Sequence, residues 1–147
     1  MVFGGGESMD WVKTFGAVLL VAFPTTGSLV AAAPLFEPEA ICRAAIASIK
    51  DRDPKLIKVS LIRDGVFFLT YARPIDSFVW TYRCRIEGSR VVWADEPGRW
   101  RNEPKDDKIS FEAVDAGARL QIIATHRNGL SEKQLFDREA ILRSGAE

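Results

Sequence analysis

The chain has little of the chemistry that marks a catalytic or metal centre. Among its 147 residues are one histidine, two cysteines and two methionines. It contains no GxSxG nucleophile elbow, no Walker-type glycine loop, no HExxH zinc motif and no EF-hand loop. No second histidine and no CxxC pair accompanies His126, so the usual metal ligands do not converge in sequence. These absences predict no metal and no other cofactor, and they favour a non-enzymatic role.

An excess of one charge is lacking as well. From Ala33 onward, nineteen lysines and arginines face eighteen aspartates and glutamates, and no run of five like charges occurs. A protein that binds nucleic acid carries a clear basic excess. We therefore expect no nucleic acid partner.

The sequence does contain a long uncharged run of nineteen residues, Phe15 to Ala33, just after Lys13. An apolar stretch at residues 15–23, a helix-breaking Pro24 and small residues up to Ala33 are typical of a signal peptide. We predict a signal peptide over residues 1–32 and a periplasmic or secreted protein.

Two details of this segment leave alternatives open. The acidic residues Glu7 and Asp10 are unusual before an export signal, which favours Met9 as the true start. Nineteen uncharged residues are also just enough to cross a bilayer. The alternative is therefore an inner-membrane protein anchored through residues 15–33, and only in that case do we expect contact with a membrane.

Residues 33–138 are predicted to form a single globular α+β domain, followed by a C-terminal tail at residues 139–147. One helix begins near Pro38 and carries an apolar stripe at three- and four-residue spacing: Ile41, Cys42, Ala45, Ile46 and Ile49. After Pro54 the apolar period changes to two, and turn signals such as Asp64-Gly65 recur. This pattern predicts a curved antiparallel β-meander of about six to seven strands packed on the N-terminal helix.

The clearest predicted strand runs from Phe78 to Ile86. Alternation places five residues on the face toward the helix: Phe78, Trp80, Tyr82, Cys84 and Ile86. Cys42 lies on the apolar stripe of the helix, so each cysteine faces the other element. In an exported protein such a pair predicts a disulfide between Cys42 and Cys84.

Candidate binding residues lie on the opposite face of that strand and in the charged loop after it. Arg83, Arg85 and Arg90 are expected to form a cationic stripe with Arg99 and Arg101 nearby. Such a stripe suits phosphate, sulfate or carboxylate groups, although a solvated sheet face gives the same pattern.

Two tryptophans flank the start of that loop. Alternation favours a core position for Trp93. Trp100, between Arg99 and Arg101, is the better candidate for an exposed partner contact or for a ring stacked under an arginine.

The remaining titratable groups favour structural roles. His126 borders the Asn128-Gly129 turn and is interpreted as a surface residue. The acidic pairs Asp95-Glu96 and Asp106-Asp107 stand among arginines and lysines. We interpret them as a solvated, self-neutralising loop rather than as a pair of catalytic acids.

The run from Cys42 through Trp80, Tyr82 and Cys84 to the Gly98–Arg101 segment resembles small exported bacterial proteins of unknown function. The resemblance implies a periplasmic location. There is also an analogy to exported lysozyme inhibitors, from which the leading helix departs.

Three functional hypotheses follow from the sequence. The first is a non-enzymatic exported domain that binds a protein or an anionic envelope component. The second is an inhibitor or immunity-type protein that inserts the loop from Asp95 to Asp107 into an envelope enzyme. The third is an envelope hydrolase whose site is assembled only in the fold.

Overall fold

The computed structural model describes residues 35–143. One helix, α1 (Pro38–Lys50), is followed by seven strands and a short helix, α2 (Arg138–Leu142). The strands are β1 (Ile57–Arg63), β2 (Val66–Ala72), β3 (Val79–Glu87), β4 (Arg90–Asp95), β5 (Lys108–Val114), β6 (Arg119–Thr125) and β7 (Ser131–Asp137). The predicted α+β class, with one helix followed by an antiparallel meander, is confirmed.

Helix α1 begins and ends as its sequence predicts. Pro38 occupies the first turn, where its missing N–H costs nothing. At the other end Asp51 adopts a left-handed conformation with φ of 51°, and its N–H donates to the carbonyl oxygens of Ala47 and Ser48. This closes the last turn of the helix.

The seven strands form one antiparallel sheet in sequence order, from β1 to β7. Asp64 and Gly65 turn β1 into β2 with φ angles of 51° and 74°, as a two-residue hairpin requires. Helix α1 packs against β1, β2, β3, β4 and β6. Strands this far apart in one sheet reach the same helix only because the sheet curls around it.

Pairing within the curled sheet is sparse between β4 and β5. Strands β4 and β5 share only two paired positions, Arg90 with Ser110 and Val91 with Ile109, whereas β5 and β6 share seven. Beyond Val91 the two strands diverge. The 96–107 loop connects them at this opening.

The core is built around α1, in which all eight residues from Ala40 to Ala47 are buried. An apolar stripe alone would leave the other side of the helix in water. Here the sheet and α2 together enclose the helix. The six largest side chains that are almost wholly buried come from α1, three strands (β1, β2 and β6) and α2: Ile46, Ile57, Leu69, Leu120, Ile122 and Ile141.

This enclosure buries Arg43, which the sequence pattern places off the apolar stripe. The side chain is buried and donates three hydrogen bonds: to the carbonyl oxygens of Ile57 (3.0 Å) and Ile141 (2.8 Å), and to Glu39 (2.9 Å). Arg43 therefore links α1 to the first strand and to α2.

The packed domain continues past residue 138. Ile141 of α2 is fully buried, and Arg138 donates to the carbonyl oxygens of Leu35 (2.6 Å) and Gly117 (3.2 Å). The predicted boundary at residue 138 thus falls at the start of a helix that completes the core.

The predicted export segment at residues 1–32 lies outside the described residues. Within residues 35–143, no helix is long and apolar enough to cross a membrane.

Candidate functional site

The predicted disulfide is present. The Sγ atoms of Cys42 and Cys84 are bonded at 2.02 Å, and both residues are completely buried. The bond fixes α1 to β3, the strand that carries Arg83 and Arg85 of the predicted site. Neither cysteine is available for redox or metal chemistry while this bond is intact.

The structure brings together three of the predicted contact residues. The guanidinium carbons of Arg83 and Arg85 lie 4.7 Å and 4.4 Å from the centre of the Trp100 ring. Cations over an indole face are attracted by its quadrupole. Trp100 is therefore half-buried beneath two arginines, which corresponds to the stacked alternative in the sequence analysis.

This cluster covers the outer face of β4. By register Arg85 pairs with Val92 and Arg83 with Ala94, so these residues share one face of the sheet. Val92 and Ala94 are completely buried, yet they lie outside the core cluster around α1. We attribute their burial to the 96–107 loop that carries Trp100.

The loop is held by ion pairs within itself and to β3. Nε of Arg83 lies 2.6 Å from Oε2 of Glu96, close but not aligned as a hydrogen bond, and another Arg83 nitrogen donates to the carbonyl oxygen of Gly98. Gly98 itself passes so near the chain that a Cβ there would lie 2.8 Å from the Asp95 carbonyl oxygen. The loop thus lies folded against the sheet.

The other predicted cations are also engaged. Arg99 donates to both carboxylate oxygens of Asp106 at 2.8 Å and 2.7 Å, and this contact holds the pKa of Asp106 well below its usual range. Arg101 lies 3.4 Å from Asp95. The acidic loop therefore neutralises its own charges, as the sequence predicts.

Arg90 stands apart from these groups. It pairs with Glu87 across the β3–β4 turn, and its buried Nε has no acceptor. No contact among the described residues joins Arg90 to the Trp100 cluster. The predicted cationic stripe is thus divided into three parts. Arg83 and Arg85 stack on Trp100, Arg99 and Arg101 form ion pairs with acidic residues, and Arg90 stands alone.

A cleft of about 590 Å³ lies where β4 and β5 diverge. Its apolar lining comes from Ile49 at the end of α1, Trp93, Ile109 and Ala124. Charged residues of both signs complete the lining: Asp51, Arg101, Lys105, Asp106, Asp107, His126, Glu132 and Lys133. Four acidic groups thus face three permanent cations and a histidine, so the cleft has no dominant sign.

His126 lies in this cleft rather than on a bare turn. Its Nδ1 is 2.9 Å from Asp107 and its Nε2 is 3.5 Å from Glu132. The hydrogen bond to Asp107 is the main cause that raises the pKa of His126. Sequence reasoning missed these partners because Asp107 is nineteen residues away, at no spacing that local periodicity can reveal.

The two neighbouring carboxylates favour the charged form of His126 over the neutral form and so raise its pKa. No hydroxyl or thiol within residues 35–143 hydrogen-bonds to it. That described part of the chain also contains no group of three or more His, Cys, Asp or Glu residues arranged to hold a metal ion.

A different surface stands out at the β2–β3 turn. Four apolar side chains there are exposed: Ile75 by 87%, Phe78 by 53%, Val79 by 54% and Trp80 by 46%. We call these four residues the β2–β3 patch. The Phe78 and Trp80 rings meet edge to face with their centres 5.2 Å apart. By strand alternation Phe78 and Trp80 lie on one face of β3 and Val79 on the other, so the Phe78–Trp80 pair is the contiguous part of the patch. Exposed apolar side chains at one turn commonly mark an interaction surface.

The patch corrects one sequence-based prediction. Alternation places Phe78 and Trp80 on the core side of β3 together with Tyr82 and Cys84. The latter two are buried, but Phe78 and Trp80 are exposed. The alternation along the strand cannot show where the helix beneath it ends.

Trp80 also borders a shallow groove of about 170 Å³, whose other lining residues are Lys50, Arg52, Tyr71 and Tyr82. The Arg52 guanidinium carbon lies 5.2 Å from the Tyr71 ring centre. Nζ of Lys50 lies 5.1 Å from the Tyr82 ring centre and 3.0 Å from Asp95. We call this the Trp80 groove.

Comparison of the chain with models of known protein families finds no match, and comparisons with curated proteins and with solved structures find none either.

Proposed function

We propose that this protein is a non-enzymatic exported domain, periplasmic or secreted, that binds a protein partner through the β2–β3 patch. The observation that carries the proposal is the exposure of Ile75, Phe78, Val79 and Trp80 on one turn. Tryptophan and other aromatic residues are enriched among the residues that dominate binding energy at protein interfaces.

The aliphatic members of the patch favour a protein over an envelope polymer. A sugar ring stacks on the flat face of an aromatic side chain. Ile75 and Val79 offer no such face, but they fit an apolar interface of the protein–protein kind. The export part of the proposal is supported by the buried Cys42–Cys84 bond, since disulfides persist in oxidising compartments.

The two alternatives have less support. Insertion of the 96–107 loop into an enzyme would require the loop to leave Arg83 and Arg85 on β3. A hydrolase would need a base and a nucleophile in the cleft. His126 is held between two acids there, with no nucleophile hydrogen-bonded to it among the described residues.

Affinity capture from envelope extracts tests the proposal. The full chain serves as bait beside the double variant Phe78→Ser/Trp80→Ser and the control Leu130→Ser, which changes an apolar residue that is 66% exposed on another turn. We expect wild type and Leu130→Ser to retain the same protein and the double variant to lose it. Equal retention by all three would contradict the proposal.

A further inference from the structure

The Trp80 groove has an unusual charge composition. Its lining consists of three aromatic side chains and two cations, with no acidic residue. This contrasts with the larger cleft, where acids and bases are balanced. A groove with apolar walls and cations alone is complementary to a group that is both small and negative.

Arg52 is the more available cation of the two. It is exposed, and its side chain stacks on the ring of Tyr71. Neither neighbouring carboxylate forms an ion pair with it among the described residues. Asp51 lines the other cleft, and Asp53 accepts a hydrogen bond from the backbone N–H of Lys55.

Lys50 is only partly neutralised. Its partner Asp95 is shared, since Asp95 lies 3.0 Å from Lys50 and 3.4 Å from Arg101. Asp95 is therefore not dedicated to Lys50. Arg52, which forms no ion pair among the described residues, is the second cation of the groove and lies next to the exposed Trp80 ring.

We infer that the protein partner places a carboxylate side chain in the Trp80 groove, against Arg52 and Lys50, with apolar residues on either side that pack on the β2–β3 patch. This inference rests on the proposed function and adds the chemistry of the partner segment. The groove volume of about 170 Å³ suits a single side chain. Phe78 and Trp80 lie where the flanking apolar residues would pack.

Three terminally blocked tripeptides, Leu-Glu-Leu, Leu-Gln-Leu and Leu-Lys-Leu, provide the test. They are titrated into the ¹⁵N-labelled full chain while the indole N–H resonance of Trp80 is followed by NMR. We expect the Glu peptide to bind about fivefold more tightly than the Gln peptide, the size typical of one exposed ion pair. The Lys peptide is expected to bind most weakly, and added salt to reduce the preference.

Two variants test whether Arg52 causes the preference for the Glu peptide. Arg52→Gln is expected to remove the preference for Glu over Gln while leaving the Gln peptide's affinity unchanged. Arg63→Gln, which removes an exposed cation at the opposite end of the β1–β2 hairpin, is expected to keep the preference.

The outcomes separate this inference from the proposed function. Equal affinity for the Glu and Gln peptides, with Trp80 shifted by both, would overturn the inference and leave the patch as a binding surface. Loss of the preference in Arg63→Gln as well would show a general effect of net charge and would also overturn it. No shift of Trp80 with any peptide would overturn both the inference and the patch as a peptide-binding surface.

Discussion

At the scale of single residues, Arg43 and His126 both acquire their roles from partners that are distant in sequence. Arg43 satisfies two backbone carbonyl groups, and one of them lies 98 residues away. His126 joins the 96–107 loop to β7 through Asp107 and Glu132. Helical and strand periodicity identify which residues face the core, but they carry no information on such long-range pairs. This is why the sequence pattern leaves Arg43 off the apolar stripe of the helix and indicates a surface residue beside a turn for His126.

Replacement of Arg43 by methionine keeps the aliphatic length and removes all three hydrogen bonds. The carbonyl groups of Ile57 and Ile141 then lose the donors that Arg43 supplies. Because an unsatisfied buried polar group costs about 1–3 kcal/mol, we expect the free energy of unfolding to fall by about 2–4 kcal/mol. Urea denaturation measures it. The control Arg143→Met, at an exposed residue paired only with Glu139, should change it by less than about 0.5 kcal/mol.

His126 predicts a pH-dependent contribution to stability. Its pKa in the folded protein is raised above the unfolded value of about 6.5. The stabilisation is therefore complete below the unfolded pKa and is lost as the pH rises through the folded pKa. We expect wild type to be more stable than His126→Gln at pH 5.5 and equally stable at pH 9, measured by urea denaturation. A difference that grows with pH would contradict the assigned partners.

At the scale of elements, the strands were predicted well because alternation and turn residues are local signals. Seven strands form, within the predicted six to seven, the strand predicted from Phe78 to Ile86 spans Val79–Glu87, and the Asp64-Gly65 turn has the predicted form. The divergence of β4 from β5 and the packing of α2 were not predicted. Both depend on how the sheet curls around α1, which is a property of the assembled fold.

The disulfide is the strongest link between elements. It closes a separation of 42 residues between α1 and β3. In the chain-entropy model a loop of this length stabilises the folded state by about 4 kcal/mol, as an upper figure. We expect Cys42→Ala/Cys84→Ala to lose up to this amount in a denaturant titration. Reduced wild type should be destabilised to the same degree; a much smaller loss upon reduction would show that the variant suffers from lost packing instead.

We expect the cluster of Trp100 with Arg83 and Arg85 to stabilise the 96–107 loop locally rather than the whole domain. In Trp100→Ala, Arg83 and Arg85 lose their aromatic partner and the 96–107 loop loses its main contact with the sheet. The amide of Arg101, which donates to the Trp93 carbonyl oxygen at 2.8 Å, should exchange with solvent at least about tenfold faster. Hydrogen-exchange NMR measures this rate. The control Trp80→Ala should leave it unchanged.

At the scale of the whole molecule, two surfaces differ. On one, charged and aromatic side chains have partners within the domain; on the other, the β2–β3 patch, apolar side chains are exposed. Arg83, Arg85, Arg99, Trp100 and Arg101, chosen from sequence as candidate contacts, have partners within the domain. The β2–β3 patch, which alternation assigned in part to the core, is exposed. The sequence offered the stacked Trp100 ring and the self-neutralising loop as alternatives to binding. It did not predict the exposure of the patch, because exposure depends on what packs above each residue. The binding proposal therefore depends on the patch.

Site-specific photo-crosslinking in cells that make the protein tests this claim most directly. A photoreactive amino acid replaces Phe78 in the patch or, as the control, Leu135 on β7, which is exposed by 46%. We expect a discrete crosslinked protein of one mass from position 78 and none from position 135. The same crosslinks from both positions, or none from position 78, would contradict the proposal.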